Sequence, residues 1–233
     1  MAGIVPLMDL ILVRHAQPQW IVDGLADNDP RLSQLGRFQA DRLHKPSRAW
    51  DLTELWTSTL RRATETAVPL ATTAGARPAA HAWLDELRPP SSWHGSPAQL
   101  VEQAFAESRT RDPDDWWDGI AGGESVRNFH DRVWSGMERA LADRGVRRSN
   151  THRQLWDIAE PGATIAIVAH GGTNALLLGL LLGLEIVPWE WERFALAHAG
   201  ITKVSSVQIG TAFSFSLRTF GDTSHLDPAH VTY

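Results

Sequence analysis

The sequence predicts an α/β fold, a three-layer sandwich with a mostly parallel central sheet flanked by helices. Three observations predict it. Short apolar runs alternate with stretches of helical periodicity, the pattern of strands joined by crossover helices. No internal repeat or linker-like composition interrupts the 233 residues, which therefore read as one domain, 1–233, large enough to bury a sizeable core. A content of 43% hydrophobic against 21% charged residues is globular and not disordered.

Met8 to Val13 reads as a buried strand by its apolar continuity. Ser33 follows as an N-cap, with Leu35, Phe38 and Leu43 on a helical face that Pro46 stops. Glu54 to Ser58 is a second strand. The next helix ends near Gly75 and is kinked or broken at Pro69. Ala79 to Leu84 is a weaker strand. Between Arg88 and Gly123 the periodicity thins, which suggests a tryptophan-rich, cap-like insertion of loop and helix. From Ser125, the spacing Val126, Phe129, Val133, Met137 and Leu141 is helical. Residues 143–163 read as a polar connector with room for a short helical patch. Thr164 to Ala169 is the clearest strand and Thr173 to Leu184 the clearest buried helix. The segments "ITKVSSVQIG" and "FSFSLRTF" read as a strand pair, an edge hairpin.

Composition excludes several functions. A net charge of −5 argues against a nucleic-acid surface, so a phosphate site must be a local cluster of cations. With no cysteine there is no disulfide framework, thiolate zinc site or cysteine nucleophile. The opening "MAGIVPLMDLILV" lacks the basic start of a signal peptide. Ile165 to Val187 is long enough to suggest a membrane span, but its polar centre, His170 to Asn174, divides it into two pieces too short to cross. The expectation is a soluble, cytoplasmic protein.

Chemistry gathers at strand ends. Arg14 and His15 follow one strand, Ser58, Arg61 and Arg62 a second, and His170 a third. In a parallel sheet these positions share one edge, where ligands bind. Two histidines and two arginines repel one another unless an anion sits between them. A phosphate fits, because arginine offers forked donors and histidine can attack phosphorus. "WLDELRPP" places Asp85 and Glu86 nearby as candidate acids for a departing alcohol. Neither H-E-x-x-H nor G-x-x-x-x-G-K-[ST] occurs, so no metal and no cofactor is expected.

These pieces resemble a known family. "LVRHAQ" is similar to the R-H-G signature of the histidine phosphatase superfamily, also called the phosphoglycerate mutase-like family. "TSTLRRATETA" resembles its S-x-L-x-R-A-x-x-T-A element, and "LDEL" its acid segment. "GGESVRNFHDRV", "IVAHGGT" and "GDTSHL" resemble its later motifs, the last being a phosphatase-type ending. The resemblance runs in order from Leu10 to Leu226 and implies a phosphoglycerate mutase-like fold. It implies His15 as the nucleophile, Arg14, Arg62 and Gly171 as phosphate-binding residues, and His170 as a donor to the transferring group. Glu86 takes the acid's place in preference to Asp85, and Arg61 becomes an exposed helix residue, since only one of two neighbours faces the pocket.

Departures from the pattern bear on substrate. Ala16 replaces the signature glycine. Ile21 replaces an asparagine that many members carry, leaving an apolar rim. "WHG" at Trp93 to Gly95 stands where phosphatases often have W-E-G, which makes Trp93 and His94 candidate pocket residues beside Ile21. Trp116 and Trp117 share the insertion and have even claims on the pocket. Trp50, Trp56, Trp134 and Trp156 read as core. "RDPDDWWD" reads as a helix start, "RGVRRS" as a solvated connector, and His198, His225 and His230 as structural. The leading reading is a metal-independent phosphomonoesterase that works through a phosphohistidine on His15. The alternatives are phosphoglycerate mutase-type transfer, against which Ile21 and the tail count, and a non-catalytic phospho-ligand binding domain. The expected partner is a small-molecule phosphate ester, with no nucleic acid or membrane; a homodimer is allowed.

Overall fold

A computed structural model describes residues 8–152, 154–159 and 162–233. The first seven residues, on which part of the signal-peptide reading falls, lie outside it. β1 (Met8–Arg14) begins the sheet and is followed by a two-residue hairpin, β2 (Ile21–Val22) and β3 (Leu25–Ala26). Ser33 caps α1 (Gln34–Arg42) by accepting from the Gly36 amide, the interaction that favours serine there. Pro46 does not end this helix but lies inside a separate short one, α2 (His44–Ser47). β4 (Glu54–Thr57) leads into α3 (Arg61–Ala74), which contains Pro69 and ends on Gly75 at φ +62°, a left-handed cap that suits glycine.

The expected strand at 79–84 shrinks to β5 (Ala79–Ala80), because the chain turns into a 3₁₀ helix over Ala82–Leu84. Segment 88–123 carries 3₁₀ turns at Ser91–Trp93 and Pro113–Asp118 around α4 (Ala98–Arg109). Ser125 caps α5 (Val126–Ala142). The connector at 143–163 is a correction: it holds β6 (Val146–Arg148) and β7 (Trp156–Ile158). Strands this short show no alternation that a sequence could reveal. Nor is "RGVRRS" merely solvated, since Arg144 pairs with Glu54 and Arg148 lies 4.2 Å over the Trp156 ring. β8 (Ala163–Ala169) is followed by α6 (Gly171–Leu182), α7 (Glu190–Arg193), β9 (Ile201–Ile209) and β10 (Ala212–Asp222).

The strands form one sheet in the order β5-β4-β8-β1-β9-β10-β7-β6. β5, β4, β8 and β1 are parallel, and the other half is antiparallel. The β9–β10 pair is therefore not an edge hairpin: β9 pairs with β1 in the sheet centre, and β10 pairs with β7. Alternation along the central strands splits the core in two. Leu10, Leu12, Ile165 and Ile167 meet Phe129, Val133 and Met137 of α5 and the leucines of α6 on one face. Ile11, Val13, Ala166 and Val168 meet Leu43, Ala67 and Leu70 on the other. α6 is buried almost all round, which explains its membrane-like composition. No helix among the described residues is long and apolar enough to cross a membrane.

Candidate active site

Register brings the strand ends together. Arg14 stands opposite Ala169 and Thr57 opposite Val168, so β1, β8 and β4 release their chains at the same edge. His15, Ser58 and His170 are the residues that follow. All three are buried.

The His15 and His170 rings lie 5.0 Å apart, centre to centre. His15 Nδ1 is 2.8 Å from the Ala16 carbonyl oxygen. A carbonyl only accepts, so Nδ1 holds the proton and Nε2 keeps its lone pair. Burial, and then the charges of Arg62, His170, Arg14 and His198, hold His15 well below the ordinary histidine pKa. The ring is thus neutral, with its Nε2 lone pair free. His170 Nε2 lies 2.8 Å from Ser58 Oγ, which donates to Asp85 Oδ1 and accepts from the Leu60 amide. Only a donor's role remains for Nε2. His170 Nδ1 is buried and unpartnered, and burial with the charges of Arg62, Arg14 and Arg132 keeps this ring neutral as well. To donate from Nδ1, His170 must take up a proton, which a bound anion favours.

The arginines are poised in the same way. Arg14 Nη1 donates to the Leu196 carbonyl, but its Nε has no partner among the described residues. Among the described residues Arg62 leaves Nε and Nη1 without a hydrogen-bond partner; its guanidinium lies 4.8 Å over the Trp20 ring, and Asp29 approaches only to 4.0 Å. Burial lowers the pKa of both, while Glu86 opposes the shift. Buried cations left unpaired are costly, and an anion among them removes that cost. Gly171 opens α6 beside Arg14, so the helix N-terminus faces the same point.

Glu86 is held by the amides of Gly172 and Leu87, at 2.9 and 3.0 Å. A Cβ at Gly172 would stand 2.6 Å from Glu86 Oε1, so only glycine permits this approach. Asp85 is spent elsewhere, accepting from Ser58 Oγ and from the Thr59 amide and hydroxyl. Arg132 of α5 clamps the turn that carries both carboxylates, donating to the carbonyls of Ala82, Trp83, Asp85 and Glu86 while paired with Glu124 at 2.7 Å. The sequence reading missed this clamp, although "GGESVRNFHDRV" contains both of its ends.

Above these groups opens a cavity of about 810 Å³, with Arg14, Arg62, Glu86 and Gly172 on its floor. His15 and His170 are buried and do not line it. Ile21, Trp93 and Trp116 are on the walls, joined by Trp20 and Trp191, which sequence reasoning missed. His94 and Trp117 do not line it. His94 turns outward, largely exposed, toward Asp27 at 3.4 Å, and Trp117 stacks under Arg127. Arg61 also faces away, paired with Asp27 and Asp29. His198 lies 5.5 Å from His15 and is tied through Nδ1 to Thr232. Trp56 and Trp156 are fully buried, while Trp50 and Trp134 pack against the two cores. No group of three or more His, Cys, Asp or Glu among the described residues is placed to hold a metal ion.

A family model for the histidine phosphatase superfamily, branch 1, matches residues 10–214. The chain belongs to that superfamily. Among its relatives, a probable phosphoglycerate mutase of Cronobacter sakazakii is 24% identical over 233 residues, covering 95% of this chain and 96% of the relative. A glucosyl-3-phosphoglycerate phosphatase of Mycolicibacterium vanbaalenii is 29% identical over 184 residues, 77% of this chain and 76% of the relative. Among solved structures, one described as mycobacterial hydrolase 2 superposes with a TM-score of 0.69 at 25% identity, covering 95% of this chain and 93% of the other. A mycobacterial glucosyl-3-phosphoglycerate phosphatase in complex with inorganic phosphate superposes with a TM-score of 0.64 at 25% identity, covering 94% and 99%. The histidine phosphatase fold thus accounts for the layered sheet and for the shared edge.

Proposed function

We propose that this histidine phosphatase hydrolyses a small-molecule phosphomonoester, without a metal, through a phosphohistidine on His15. One observation carries the reading: Arg14 Nε, Arg62 Nε and Nη1, and His170 Nδ1 are buried and unpartnered among the described residues, around a histidine whose Nε2 lone pair is free. A phosphoryl group drawn past Arg14 and Arg62 meets that lone pair. Nε2 attacks phosphorus, the P–O ester bond breaks, and the departing oxygen takes a proton from the Glu86 carboxyl. The arginines and protonated His170 hold the equatorial oxygens as charge builds on them. Glu86, now a carboxylate, takes a proton from water. The water oxygen attacks phosphorus, the P–N bond breaks, and phosphate leaves.

A second reading, phosphoglycerate mutase-type transfer, draws support from the Cronobacter relative and its full-length match. A mutase must keep its phosphoryl group from water, whereas this cavity is wide. Release of inorganic phosphate from sugar phosphates, phosphoglycerates, glucosyl-3-phosphoglycerate, nucleotides and aryl phosphates separates the readings. Release that persists in EDTA and is lost in His15→Ala supports the phosphatase. Rearrangement of phosphoglycerate without release supports the mutase. Loss of release in EDTA, restored by one divalent ion, overturns the metal-free mechanism. The proposal includes a cytoplasmic location, checked by cell fractionation, and allows a homodimer, checked by sedimentation.

A further inference from the structure

The cavity is larger than the chemistry beneath it requires. About 810 Å³ is the size of a site that encloses a drug-sized ligand, and such sites run to roughly 300–1,000 Å³. Its walls are aromatic and come from separate parts of the chain. Trp20 precedes the β2–β3 hairpin, Trp93 and Trp116 stand on the 3₁₀ turns of segment 88–123, and Trp191 lies on α7. Phe105 of α4 meets Trp93 edge to face at 5.2 Å.

Trp116 and Trp191 lie within 22° of parallel with their centres 6.5 Å apart. That spacing falls within the roughly 4.5–7 Å of an offset aromatic pair, and Trp189 meets Trp116 edge to face at 6.3 Å, so the indoles form one continuous aromatic wall. Asp27 on the wall is paired with Arg61 at 3.0 Å, and the other wall charges balance: Arg109 and Arg111 line the cavity, but so do Glu102 and Glu192. None of the four is in an ion pair among the described residues. The walls therefore offer flat apolar faces and no net charge with which to select a second anion.

We infer that the leaving alcohol carries a flat, uncharged aromatic group that stacks on the Trp116–Trp191 wall while its phosphate sits on the arginine floor. This rests on the phosphomonoesterase reading. Each stacking indole contributes about a tenfold preference, since aromatic pairing adds up to about 1.5 kcal/mol beyond area burial and 1.4 kcal/mol is tenfold.

A series of esters on a common CH₂–O–phosphate linkage tests this: ethyl, cyclohexylmethyl, benzyl and naphthylmethyl phosphate, with glycerol phosphate as the polar member. Their leaving oxygens are similar in acidity, so kcat/KM reports the fit of the group. We expect naphthylmethyl to exceed ethyl by 10-fold or more, and also to exceed cyclohexylmethyl, which is apolar but not flat. The naphthylmethyl-to-ethyl ratio should fall about tenfold in Trp116→Leu and in Trp191→Leu, with part of it restored by phenylalanine at either position. Calorimetry with naphthylmethylphosphonate, which has no ester bond to break, reads the same wall without turnover. Equal kcat/KM across the series, or phosphonate binding unchanged by both leucine variants, overturns the inference while leaving the phosphatase reading intact. Failure of phosphate to bind and of every ester to release it would instead sink the reading underneath. A variant that has lost its fold is recognised by circular dichroism, and the wild-type series and phosphonate titration still decide.

Discussion

The floor and the walls of this cavity are held in different ways. Arg14, His15, Ser58 and His170 stand at the ends of three hydrogen-bonded parallel strands, and each side chain is buried or nearly so. Trp93 and Trp116 stand on 3₁₀ turns, in a segment bonded to the β2–β3 hairpin and Asn28 through Gly95, Ser96, Pro97, Ala98 and the Pro90 carbonyl. A reacting group must be fixed within fractions of an ångström, which register and burial accomplish. A substrate-selecting wall needs only surface of the right shape, which a loop segment supplies and can vary. On the proposed reading, the floor carries the chemistry and the walls select the ester.

The comparison breaks most sharply at Glu86. Glu86→Gln should slow alkyl phosphates by about 10²–10⁴-fold, the usual worth of a general acid, and aryl phosphates far less, because a phenolate leaves with little protonation. Equal losses for both classes would place the acid elsewhere or make a later step limiting, and burst kinetics separates those cases.

Arg62→Met comes next. Removing a phosphate clamp should lower kcat/KM by about 10²–10³-fold for every ester, large or small. Because Arg62 is a buried cation with two unpartnered nitrogens, the same change should leave stability unaltered or raise it by about 1 kcal/mol, read from the thermal midpoint. A loss of both activity and stability would mean that Arg62 is a packing residue.

Two adjacent glycines sharpen the floor further. Gly172→Ala drives a methyl to within 2.6 Å of Glu86 Oε1 and should mimic much of the Glu86→Gln defect. Gly171→Ala meets Arg14 Nε at 3.5 Å, an ordinary contact, and should cost several-fold at most. Comparable kinetics for the two would show that Glu86 does not need its present position.

How far the site was legible follows from the same division. Arg14, His15, Arg62 and His170 could be read because each closes an apolar run or opens a helix, and parallel topology then brings such positions together. In the antiparallel half of the sheet β9 and β10 were legible as a strand pair, but Val146–Arg148 and Trp156–Ile158 are too brief to show a period. His94 was misplaced because adjacency to Trp93 says nothing about direction; the two side chains diverge, one to the cavity and one to Asp27. Trp20, Trp191 and the Arg132 clamp escaped notice because no local pattern reports a distant contact: Arg132 sits only eight residues from Glu124, but the carbonyls it holds are 46–50 residues away.

A separate effect, outside catalysis, is on stability in acid. Burial pushes His15 and His170 well below the ordinary 6.5 and His198 to about 3. The unfolded chain binds protons near pH 6.5 and the folded chain does not, so these groups leave stability intact above that pH and reduce it as pH falls toward their folded values. Each histidine still neutral costs about 1.4 kcal/mol per pH unit. Urea midpoints between pH 7 and 4 should fall accordingly. His198→Gln should flatten the slope by about one such increment, and an unchanged slope would mean that His198 titrates normally in the fold.

The most direct test of phosphoryl transfer to His15 is to trap it. Wild-type protein mixed with a phosphate-labelled ester that it hydrolyses, and quenched in alkali within one turnover, should carry label that survives base, is released by acid and maps to His15. His15→Ala should carry none. Steady hydrolysis with no covalent label at any quench time, or label on a different residue, would contradict the account at its centre.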